Sequence, residues 1–143
     1  MQRHRQLLTH LLQDERVAVA AYRALEESFQ DPLAAAELRR IERDHEDALN
    51  LIESQAADLW EETEEGGGVW RAWAPAIEAG AHHAGAEQVL EDLAQGERHE
   101  IGELKEALAD DALPFELQEL VGSRLLPKTA ARLDALERLR QRI

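Results

Sequence analysis

The chain has 143 residues, 44% hydrophobic, 32% charged and 4% aromatic, which suits one domain (residues 1–143) with a real core and favours helix over sheet. A formal charge of -14, from 30 acidic against 16 basic residues with Lys105 and Lys128 the only lysines, argues against binding nucleic acid or an anionic membrane through the surface field. The absence of cysteine removes disulfides, thiolate metal ligands and cysteine nucleophiles, and the lack of a membrane-length apolar stretch or a signal-peptide run after Met1 predicts a cytoplasmic protein.

The first predicted helix runs from about Gln6 to Phe29. Its apolar stripe is Leu8, Leu11/Leu12, Val19, Tyr22, Leu25 and Phe29, with Glu15 in the middle. Gln30-Asp31-Pro32 marks a turn, in which Asp31 can cap the next helix and Pro32 suits its first position. The second helix extends from Pro32 to about Glu62, with Leu38, Ile41, Leu49, Ile52, Ala56 and Leu59 inward. Glu42 and His45 fall among them, three residues apart and on one face. A carboxylate and an imidazole there are costly to bury unless paired, and a metal ion is one such partner.

Glu61 to Glu65 and then Gly66-Gly67-Gly68 end that helix and open a crossover of about twenty residues. Val69 to Ile77 reads as a short amphipathic helix whose Trp70 and Trp73 share a face, as core or interface anchors. His82 and His83 are adjacent and do not face each other on a helix; with His4, His10 and His99 they read as surface histidines.

The third helix covers about Ala86 to Ala109, with Leu90, Leu93, Ile101, Leu104 and Leu108 inward, Glu97 central, Glu100 at the edge and His99 pointing away. After the turn Asp110 to Pro114, a fourth helix runs from Pro114 to near the C-terminus. Its stripe is Gln118, Val121, Leu125, Lys128/Thr129, Arg132, Leu136 and Leu139, and Pro127 predicts a kink. The expected fold is all-α: a four-helix bundle of two antiparallel hairpins joined by the long crossover and its extra helix. Leu7, Val17 and the two tryptophans, outside the inner stripes, leave surface for a homodimer.

A faint duplication pairs Glu15 and Glu42-x-x-His45 in the first hairpin with Glu97 and Thr129-x-x-Arg132 in the second. A Glu on one helix and Glu-x-x-His on the next resembles the metal-binding half-site of the ferritin-like carboxylate bundles. Asp14-Glu15-Arg16 followed by Tyr22, and Gly96-Glu97-Arg98-His99-Glu100, are similar to the first and third helices of rubrerythrin-type proteins. Gly68 to Ala74 and Leu125-Leu126-Pro127-Lys128-Thr129 resemble a bacterial branch of that superfamily whose function is unknown, and the resemblance covers nearly the whole chain.

The resemblance implies metal ligands at Glu15, Glu42, His45 and Glu97, with Glu100 as a further one. It also implies an oxidase or peroxidase activity linked to stress. Where the family has its second Glu-x-x-His, this chain has Thr129 and Arg132, with Lys128 alongside, and neither cation is a ligand for iron or manganese at neutral pH. Two readings stay open. In one, a single iron, manganese or zinc ion is held by Glu42, His45 and Glu15, with Glu97 as a further ligand. In the other, no metal is bound and Arg132 ties the carboxylates and His45 into a buried network, in a protein that acts through protein contacts or self-association. Tyr22 reads as core packing with a hydrogen-bonded hydroxyl.

Overall fold

The computed structural model describes residues 2–26, 29–56 and 85–142, with side chains from residue 5 onward and to residue 55 in the second segment. The expected end of the second helix, the Trp70/Trp73 helix, the His82-His83 pair and the His4 side chain lie outside the described residues. Every regular element within them is helical: α1 (Gln2–Leu25), α2 (Pro32–Ala56), α3 (Ala86–Leu108), α4 (Phe115–Glu119), a π-helical segment (Leu120–Leu125) and α5 (Leu126–Arg142). No helix among them is long and apolar enough to cross a membrane.

Local chemistry explains the boundaries. Asp31 Oδ1 accepts the backbone N–H of Leu33 at 3.1 Å, and its carbonyl accepts from Ala35 at 3.0 Å, so Asp31 is the N-cap and Pro32 the first helical residue, as expected. The first helix starts and stops about a turn earlier than the stripe predicts. No breaker interrupts residues 2–5, and at the other end the chain must leave the helix to reach Asp31; Phe29, beyond the helix, is still buried.

The last three elements form one continuous rod that accommodates Pro127 without a break. In a regular α-helix the proline ring would clash with the carbonyl four residues earlier. Here the preceding turn is widened: Leu126 N–H donates to Val121 O, five residues back. The wider turn also absorbs one residue of the stripe, so Leu117, Leu120 and Val121 are buried and Gln118, expected inward, is exposed and donates to Leu113 O at 2.7 Å.

α1 packs along α2, and α3 along α5, with α2 also meeting α5. The buried apolar residues form two separate clusters. One gathers Tyr22, Leu25, Leu38, Ile41, Leu90, Leu93, Leu136 and Leu139, among others. The other gathers Leu8, Leu12, Ile52, Leu104, Val121 and Leu125, among others. α1 and the final rod run from the second cluster to the first, whereas α2 and α3 run from the first to the second. Leu7 and Val17, expected at a dimer surface, are half-buried against these clusters, and so are Leu49 and Leu108. On every long helix the gap between the clusters is filled by buried polar residues: Asp14 and Glu15, His45, Glu97 and Glu100, Thr129 and Arg132.

Replacing Asp31 with Ala removes the cap of α2 and should lower stability by about 1 kcal/mol, while Asn should keep most of it. Urea denaturation would show this as a lower midpoint with an unchanged slope. An unmoved midpoint for the Ala variant would mean that packing alone fixes this end of the helix.

Candidate functional site

The polar layer between the two apolar clusters is the centre of the molecule. Arg132, 2% exposed, reaches into it from α5. Its Nε donates to Glu97 Oε2 at 3.2 Å and its Nη1 to Asp44 Oδ2 at 2.9 Å; Nη2 donates to Thr129 Oγ1 at 2.9 Å and to Glu100 Oε2 at 3.4 Å. Thr129, a turn earlier, passes its own proton to Leu125 O at 2.8 Å. From α2, His45 is completely buried and uses both ring nitrogens: Nδ1 lies 2.5 Å from Glu15 Oε2 and Nε2 lies 2.7 Å from Glu97 Oε1. Tyr22 donates to the same Glu97 oxygen at 2.8 Å, and its ring lies 5.2 Å from the His45 ring, centroid to centroid. The hydroxyl is thus hydrogen-bonded within the core, as the sequence predicts.

Burial would raise the pKa of every acid here, and the neighbours decide which acids stay ionised. For Glu97 the Arg132 and His45 charges outweigh burial and hold it down at about 2. For Glu15, burial is outweighed by the His45 charge and by a hydrogen bond with Glu100, so it too lies below its ordinary value. Glu100 goes the other way: burial and the neighbouring Glu15 carboxylate push it well up, so it keeps its proton and donates it to Glu15. Burial and the Arg132 charge press His45 toward neutrality, but Glu97 and Glu15 prevail and raise it. Arg132, surrounded by carboxylates, is raised well above its usual value despite its burial.

The layer therefore brings together four of the five sequence-predicted ligands, Glu15, His45, Glu97 and Glu100, along with Thr129 and Arg132. One atom each from Glu15, His45 and Glu100 lies within 4.8 Å of the other two. Glu42 is not part of this group. It sits at the edge of α2, where Arg23 Nε donates to it at 3.2 Å. Lys128, also considered inward, is exposed and reaches Asp44 Oδ1 at 3.4 Å. The donors suit one divalent ion, with two carboxylates and an imidazole facing each other, while the Arg132 guanidinium already occupies the other side of Glu97.

Three groups escaped the sequence reading. Asp44 bridges Arg132 and Lys128 from the side of α2. Asp14 is fully buried, and burial together with the nearby Glu103 carboxylate pushes it up to about 8. His10, expected at the surface, is half-buried with its Nε2 3.1 Å from Glu103 Oε2, and that bond raises its pKa. Comparison with known proteins finds no family model, no curated protein and no solved structure that matches this chain. The chemistry of the layer is therefore the ground for any functional reading.

Arg132→Ala leaves Glu97 and Glu100 without their buried cation and should cost about 3–5 kcal/mol in urea denaturation. A loss below about 1 kcal/mol would mean that water or rearrangement replaces the guanidinium. Glu97 adds a pH dependence of defined sign. Its stabilisation is complete above the ordinary carboxylate value of 4.5 and is lost as the pH falls toward about 2. The urea midpoint of the parent protein should drop through that window, and Glu97→Gln should show a visibly shallower drop.

Proposed function

We propose that this chain is a ferritin-like four-helix bundle of two antiparallel hairpins, cytoplasmic, that holds a single divalent ion, iron or manganese, between Glu15, His45 and Glu100. The observation that carries the proposal is the convergence of those three buried donors, one from each of three helices, to within 4.8 Å of one another. The alternation of helix direction between the two apolar clusters supports the hairpin arrangement, with a crossover joining α2 to the parallel α3. His45 Nε2 bonded to Glu97 is the second-sphere hydrogen bond that orients a ligating imidazole.

Charge supports the same reading. Arg132, protonated His45 and Lys128 face Glu15, Glu97 and Asp44, and Glu100 is neutral. A divalent ion that displaces the Glu100 proton and the His45 Nδ1 proton leaves that balance unchanged, so the layer exchanges protons for metal without a net electrostatic cost. When bound, such an ion supplies Lewis acidity and one-electron redox chemistry. The protein's own part is to exclude water with the two apolar clusters and to hold Glu97 and His45 in place.

Protein grown with iron and manganese, then washed with a weak chelator to strip surface ions, should carry about one transition-metal ion per chain. Titrating the metal-free protein with manganese in buffers of different ionisation enthalpy should show release of about two protons per ion. Glu100→Gln should abolish retention. Metal content well under one ion per chain would sink the proposal.

A second reading is favoured by a separate observation: every nitrogen of Arg132 and of His45 is hydrogen-bonded inside the protein. On that reading the layer is a complete metal-free network, and the bundle acts through protein contacts or as a homodimer. Absence of retained metal together with a large destabilisation by Arg132→Ala would select it.

A further inference from the structure

A second constellation lies beside the polar layer on the outer side of α1 and α3. His10 and Asp14 are one turn apart on α1, and Glu103 faces them from α3. His10 Nε2 lies 3.1 Å from Glu103 Oε2 and 3.6 Å from Asp14 Oδ2, and one donor atom from each of the three lies within 4.8 Å of the others. Two ligands of a tetrahedral first-row ion, each bonded at about 2.1 Å, sit about 3.4 Å apart, so these spacings already match a common coordination sphere.

Proximity of acids to a histidine would not by itself define a site. The independent observation is Asp14. Its side chain is fully buried, and as a carboxylate neither of its oxygens meets a hydrogen-bond donor among the described residues; only a proton shared with Glu103 joins the two acids. Burying two acids that must share a proton costs folding free energy, and nothing in the apolar cluster beside Asp14, Leu8, Leu11 and Leu12, repays that cost. Its oxygen is instead aimed at the imidazole of His10. His10 and Glu103, two of the three, line a groove of about 510 Å³ together with Leu7, Glu106, Ala107 and Leu113, which gives an ion a solvent path that the buried central layer lacks.

We propose that His10, Asp14 and Glu103 form a second, exchangeable site for a divalent transition-metal ion, with zinc as the best fit. One imidazole and two carboxylates are borderline donors that suit zinc, and the open groove leaves room for water to complete its sphere. The site shares no ligand with the central layer, so it stands or falls independently of the proposed iron or manganese centre.

Zinc titration by calorimetry tests it on the full chain and three variants. Glu103→Gln, at a half-buried position, keeps the fold, and circular dichroism would verify this. Zinc affinity at this site should fall at least tenfold in Glu103→Gln and in Asp14→Asn. It should persist in Glu15→Gln, which damages the central layer only. In parallel, the His10 imidazole nitrogen resonance should shift on zinc addition in the parent protein and in Glu15→Gln. Unchanged zinc affinity in Glu103→Gln, or a His10 resonance indifferent to zinc, overturns the proposal; loss of zinc binding in Glu15→Gln alone would assign the metal to the central layer instead.

Discussion

A guanidinium buried among carboxylates is the interaction on which this molecule depends. Taking Arg132 and its partners out of water costs several kcal/mol per ion, and such a group is tolerable only when its donors are used. Here they are used on Glu97, Glu100, Asp44 and Thr129. The consequences spread outward. Glu97, fixed by Arg132 on one oxygen, receives His45 and Tyr22 on the other. The layer also sets the register of the helices. The apolar clusters above and below would tolerate a helix sliding by one turn, about 5.4 Å, but such a slip would carry a charged side chain into one of them.

Within the layer, two glutamates in contact are driven in opposite directions. Glu15 is pulled down by His45, and Glu100 is pushed up by Glu15, so one proton is held between them. This is how a protein keeps a carboxylic acid neutral beside an ionised one, and it is also the arrangement in which a cation can replace a proton. The metal-free network and the proposed single-ion centre would thus differ by an exchange of protons for one cation. Arg132 cannot make the same exchange, because a guanidinium does not give up its proton.

Periodicity made most of this legible. The apolar stripes of α1, α2 and α3 and the polar residues at their centres, Glu15, His45 and Glu97, could be read from spacing, and so could the inward place of Thr129 and Arg132. Glu42 could not be placed by the same rule. With about 100° per residue, the buried line of α2 passes through Ile41, His45 and Ala48, and Glu42 falls about 60° to one side of His45. Only the position of α1 decides that this edge meets Arg23 rather than the interior. Asp44 lies on the opposite edge, and it is α5 that gives it a role. The π-helical turn had no periodic signature either; its sole local cue was Pro127, which sequence reads as a kink and the structure accommodates by widening the turn before it.

Asp14 and Glu15 show why adjacency in sequence says little about environment. The Glu15 carboxylate turns into the layer, where a histidine and a neighbouring acid settle its charge; Asp14 turns toward α3, where burial is just as complete and its nearest polar neighbours are Glu103 and His10. A chain under selection for stability alone would carry an alanine or leucine at position 14, in keeping with Leu11, Leu12 and Ala18 around it. An acid there, opposite a histidine and a second carboxylate at ligand spacing, is what the proposed zinc site would use. α1 and α3 thus present two carboxylate–imidazole groups side by side, one sealed and one open to the groove, and the physical difference between them is access to water.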